Sequence, residues 1–69
     1  MDELIWLKWR AEDDGSLLIV ETRERDGETV RERRDAESLD AAAERYGDGF
    51  RDLVETVLES GSRQGRYRP

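Results

Sequence analysis

Cysteine and histidine are both missing from the 69 residues. Without cysteine there is no disulfide framework and no thiolate metal site. Without histidine the commonest general base and the commonest metal ligand are lost together. Long apolar runs are missing too: no stretch approaches the roughly 18 residues that a membrane span needs. The start, Met1-Asp2-Glu3, lacks the basic residues that open a secretion signal. A cytoplasmic protein with no membrane partner is the expectation. Nor is there a glycine-rich phosphate loop or a Ser–His or Cys–His pair, and the carboxylates fall at surface spacing. The chain is therefore expected to act by binding, without enzymatic activity, cofactor or metal. Glu12, Asp14, Gly15 and Glu21 match parts of a calcium loop, but Arg10 stands where its first carboxylate belongs.

What is present in quantity is charge. Charged residues make up 43% of the chain and the net charge is −6. Residues 1–20 sum to −3, 21–34 to zero, 35–60 to −6 and 61–69 to +3. Arginine outnumbers lysine eleven to one, a bias that GC-rich codons produce, and an acidic, lysine-poor surface also suits a high-salt cytoplasm.

Along the chain, Leu4-Ile5-Trp6-Leu7-Lys8-Trp9 reads as a strand, and Asp13-Asp14-Gly15 as a three-residue hairpin loop closed by a left-handed glycine. Leu17 to Arg25 forms the second strand, Asp26-Gly27 the second turn, and Glu28 to Arg34 the third strand. If Glu12 closes the first loop against Ser16, Trp9 faces Ile19 and Leu7 faces Glu21. If Arg25 closes the second against Glu28, Arg23 faces Val30. One face then collects Ile5, Leu7, Trp9, Ala11, Leu17, Ile19 and Val30 as core. The other keeps Leu4, Trp6, Leu18 and Val20, beside Lys8, Thr22, Arg31 and Arg33.

From Ser38 to Ser60 the apolar residues Leu39, Ala42, Ala43, Tyr46, Phe50, Leu53, Val54, Val57 and Leu58 hold one phase at 3.6 residues per turn. Asp40, Glu44, Asp48, Asp52, Glu55 and Glu59 form an acidic ridge on the opposite side. Ser38 is a good N-cap. Gly47-Asp48-Gly49 admits either a bend or a break, and the unbroken phase of the stripe favours one long helix, bent or loosened there. After Ser60 no periodicity remains.

The expected architecture is α+β: a three-stranded antiparallel meander followed by one long C-terminal helix packed on one sheet face. Residues 1–60 would form a single compact β-β-β-α domain and 61–69 a flexible basic tail.

Function is read from what such a fold leaves uncovered. Leu4, Trp6, Leu18 and Val20 would form an exposed patch of the kind that marks contact sites, most simply a homodimer interface. The acidic ridge would meet a basic partner. A small protein-interaction or regulatory domain is the leading expectation. The alternative is a nucleic-acid-associated protein using the arginine-rich hairpin and the tail, where Arg63, Arg66, Tyr67 and Arg68 could hold phosphates and stack a base. In element order the chain resembles small sheet-reading DNA-binding domains such as the arm-binding domains of phage-type integrases, but interleaved glutamates cancel the hairpin arginines. Ala43, Gly47 and Leu53 have a helix-turn-helix spacing, yet Asp52, Glu55 and Glu59 would face the phosphates. A third reading is an acidic mimic that inhibits a nucleic-acid-binding protein. Protein partners rank above nucleic acid on these grounds.

Overall fold

The computed structural model describes residues 3–69. Its elements are β1 (Leu4–Ala11), β2 (Leu17–Arg25), β3 (Glu28–Glu37), α1 (Leu39–Tyr46), α2 (Asp48–Glu59) and β4 (Gln64–Tyr67). The strands form one antiparallel sheet in the order β3-β2-β1-β4. The fold is α+β. No helix among the described residues is long and apolar enough to cross a membrane.

Both hairpins follow from their turn residues. Gly15 takes φ 89°, Glu12 N–H bonds the Ser16 carbonyl at 2.8 Å, and Asp14 Oδ1 accepts from Ser16 N–H and Oγ–H. Those two bonds hold the Asp14 carboxyl below its usual range. Trp9 faces Ile19 and Leu7 faces Glu21, as expected. In the second turn Asp26 and Gly27 both have positive φ, 55° and 81°, the conformation whose twist suits a two-residue hairpin.

The second hairpin then departs from the expected register. Arg25 does pair with Glu28 and Glu24 with Thr29, but Arg23 pairs with Arg31, so Val30 is the extra residue of a β-bulge. Val30 leaves the expected core and is 51% exposed. Beyond the bulge every β3 side chain changes sides: Arg31 and Arg33 move to the face that the helices cover, and Glu32 and Arg34 to the open one.

The helical segment is two helices, not one long helix. Ser38 Oγ accepts from Ala41 N–H and starts α1. Gly47 ends it, with its N–H on the Ala43 carbonyl at 2.7 Å and φ 98°. That conformation is easy for glycine and incompatible with a helix interior. The stripe survives because Tyr46 and Phe50 still meet edge to face, with ring centroids 5.7 Å apart.

Gln64–Tyr67, expected inside a flexible tail, is the fourth strand. The chain reverses after α2 at Gly61 (φ 96°), and Ala11 N–H then bonds the Arg63 carbonyl at 2.7 Å. Leu7 faces Tyr67 and Trp9 faces Gly65. Two small residues admit this strand. A Cβ on Gly65 would stand 3.1 Å from the Trp9 indole, and one on Gly49 would stand 2.7 Å from the Tyr67 hydroxyl oxygen. Tyr67 completes the aromatic layer, its ring 5.4 Å from that of Phe50.

The core between sheet and helices is Leu7, Trp9, Leu17, Ile19, Ala42, Phe50 and Val54, with Leu39, Tyr46, Val57 and Tyr67 packed at its margin. Each large side chain buried there contributes about 1.5–3 kcal/mol.

Candidate binding face of the sheet

Because strand side chains alternate, residues next to the core in sequence point to the side that no helix covers. Pairing arranges them in three rows across the sheet. Arg34, Val20, Lys8 and Arg66 make one row; Ala36, Leu18, Arg10 and Gln64 the next. Glu32, Thr22 and Trp6 form a third, and Arg68 closes it with its guanidinium carbon 5.5 Å from the Trp6 ring centroid. Leu18 and Val20 are half-buried, while Trp6 remains 37% exposed and Leu4 40%. A shallow trough of about 520 Å³ runs over the middle, floored by Leu18 and Val20 and flanked by Arg34 and Arg66.

Here two groups of residues that the sequence suggests separately come together. The Leu4, Trp6, Leu18, Val20 patch lies on the open face as expected, and Arg66 and Arg68 of the supposed tail lie beside it. Arg63 does not join them. Its guanidinium turns back to the Ala11 carbonyl and Asp13 carboxylate of the first loop. Tyr67 faces the core.

Lys8 lies on this face as expected, and Arg10 and Arg34 join it without having been placed there by the sequence. The period-two series Trp6, Lys8, Arg10 carries the signal for Arg10. Arg34 needs the bulge.

The electrostatics of the face oppose those of the rest of the chain. Lys8, Arg10, Arg34, Arg66 and Arg68 stand against Glu12, Glu24 and Glu32 on a protein of net charge −6. Among the described residues eight arginines form ion pairs: 10, 23, 25, 33, 34, 45, 51 and 63. Lys8, Arg31, Arg66 and Arg68 form none, and three of these four are on the open face. Lys8 and Arg66 are direct cross-strand partners, an arrangement of like charges that costs stability.

The acidic ridge lies on the opposite side of the molecule. Asp40, Glu44, Asp48, Asp52, Glu55 and Glu59 are all exposed, and among the described residues only Asp40 has a cation, Arg51, at 2.7 Å. The break at Gly47 divides them between α1 and α2.

On the covered face, β3 contributes charge instead of apolar surface. Glu21, 8% exposed, accepts from Tyr46 Oη–H at 3.0 Å and Arg23 Nε–H at 3.2 Å. Burial pushes the Glu21 carboxyl up, but those two hydrogen bonds and the charges of Arg23 and Arg33 outweigh it and hold the group below its ordinary range. Burial and the Glu21 bond push the Tyr46 hydroxyl up. Arg33 binds Asp35, and Arg45 of α1 reaches Glu37. The bulge thus puts Arg33 opposite Glu21, where a buried carboxylate needs a cation. Of the partial calcium-loop residues, Glu12 is taken by Arg10 and Asp14 by Ser16, with Glu21 in this network.

No family model, curated protein or solved structure matches the chain.

Proposed function

We propose that this protein is a non-catalytic binding module that works through the open face of its sheet and takes a polyanionic partner. The observation that carries this reading is the gathering of Lys8, Arg66 and Arg68, unpaired among the described residues, around an exposed tryptophan on one face of an otherwise acidic molecule. Apolar residues exposed together mark contact sites, and the cations around these state the sign of the partner. The acidic helices lie behind the sheet, so they direct a polyanion to the open face without blocking it.

This reading replaces the simplest form of the homodimer. A two-fold contact places the same patch against itself, so two faces that each carry an excess of cations would meet, which like-charge repulsion opposes.

The test is a titration at 50 mM salt with two polyanions, a glutamate 12-mer and a 12-nucleotide oligothymidylate, read by tryptophan fluorescence. At least one should bind the native chain and neither should bind Lys8→Glu/Arg66→Glu. Absence of binding by both, or equal binding by the variant, would overturn the reading.

A further inference from the structure

We infer that the polyanion is a single-stranded nucleic acid, with phosphates on Lys8 and Arg66, a third on Arg10 in exchange for its Glu12 partner, and one base stacked at Trp6. This inference rests on the binding-module reading above and names its partner. Three features of the face select the class.

The first is the pairing of an aromatic surface with a guanidinium. Trp6 lies on the central strand β1 with Arg68 over its ring at 5.5 Å. Every base has a π-face that can stack on such a group, and arginine adds cation–π attraction or moves to the phosphate. A carboxylate-bearing polypeptide offers Trp6 nothing comparable.

The second is spacing. Same-face residues on a strand recur every two positions, about 7 Å apart. Lys8 and Arg10 on β1, and Arg66 and Arg68 on β4, therefore make two parallel cationic tracks along one edge of the sheet. An extended nucleotide backbone laid along them meets a cation at each step. The Lys8–Arg66 opposition becomes favourable once a phosphate bridges the ammonium and the guanidinium fork.

The third is shape, which separates single strands from duplex. Four strands about 4.8 Å apart present a surface roughly 15–20 Å wide with its side chains. A B-form major groove is about 12 Å wide and admits a helix or a two-stranded ribbon. The face is too broad to enter it. A single strand with its bases splayed can lie across the trough floored by Leu18 and Val20.

The experiment uses the whole chain and fluorescence anisotropy of labelled 12-nucleotide oligothymidylate and oligouridylate, with the duplex of the same length and the glutamate 12-mer as comparisons. Single strands should bind at least tenfold more tightly than the duplex. Three neutralised phosphates predict affinity falling roughly 20-fold between 50 and 200 mM salt. Trp6→Leu, which keeps an apolar side chain but removes the stacking surface, should weaken binding at least fivefold. Lys8→Glu/Arg66→Glu should abolish it, with circular dichroism showing that both variants keep the native fold. Glutamate 12-mer binding that requires Lys8 and Arg66, with no oligonucleotide binding, would overturn this inference and leave the module reading intact. No binding by either ligand would overturn both. Duplex affinity equal to single-strand affinity, or no effect of Trp6→Leu, would overturn the assignment of single strands stacked on Trp6.

Discussion

The two faces of one sheet carry a tryptophan each, and the two tryptophans have opposite fates. Trp9 is 1% exposed beneath Gly65 and the helices, and Trp6 is 37% exposed beneath a single guanidinium. On the helix side the charges answer one another: Glu21 with Arg23, Arg33 with Asp35, Arg45 with Glu37. On the open side Lys8, Arg66 and Arg68 have no answering acid among the described residues. Among the described residues the helix side is largely paired within the fold, Arg31 excepted, and the open side keeps three cations without a partner.

The comparison breaks most sharply on the tryptophans. Trp9→Ala should cost about 3–5 kcal/mol, most of what a domain this small has to spare. Trp6→Ala should cost about 1 kcal/mol or less, since the side chain fills no enclosed space. Urea denaturation of both variants checks this, and equal losses would mean that the two faces are not distinct in kind.

Next in size is the strand that joins the faces. Gly65→Leu would drive a side chain into the Trp9 ring, where even a Cβ stands at 3.1 Å, and overpacking of this kind costs about 1–3 kcal/mol. β4 should detach, and polyanion binding should fall with it because Arg66 and Arg68 lose their places. Loss of stability without loss of binding would separate the cations from the strand.

Much of this plan is legible in the residues, and the rest fails for identifiable reasons. Asp13-Asp14-Gly15, Asp26-Gly27 and Ser38 announce both turns and the helix start, and the Leu7–Glu21 and Trp9–Ile19 pairings follow from them. The bulge at Val30 is hidden because β3 is polar on both sides, so a one-residue shift exposes nothing apolar that would betray it. The break at Gly47 is hidden because Tyr46 and Phe50 keep the stripe in phase across it. β4 is hidden by its brevity: only Gly65 and Tyr67 face inward, too few to show a period. For the site, the Leu4, Trp6, Leu18 and Val20 patch is readable from alternation alone. Its cationic frame is not, because Arg34 is placed by the bulge and Arg66 and Arg68 by β4.

A comparable effect probes the paired side. The folded Glu21 carboxyl is held below the unfolded value near 4.5, so its contribution is complete above that pH and is lost as pH falls through the lower folded value. Glu21→Gln should flatten that part of the acid denaturation profile. Tyr46→Phe should cost about 1.5–3 kcal/mol at neutral pH, the value of a hydrogen bond to a charged group. An unchanged acid profile for Glu21→Gln would contradict the network.

The smallest effect concerns the helices. Asp40–Glu44, Asp48–Asp52 and Glu55–Glu59 remain like-charged pairs within a helix, whereas Gly47 separates Glu44 from Asp48. Each pair costs a few tenths of a kcal/mol unscreened. Molar sodium chloride should therefore raise the thermal midpoint by a few degrees, and a falling midpoint would show that attractive pairs dominate.

The central claim, that the uncovered sheet face is the working surface, is tested most directly by amide chemical shifts of the ¹⁵N-labelled chain titrated with oligothymidylate at low salt. Shifts confined to residues 6–10, 18–22 and 64–68, with 48–59 unmoved, are the predicted result. Shifts centred on α1 and α2, or no shifts at any ratio, would contradict it.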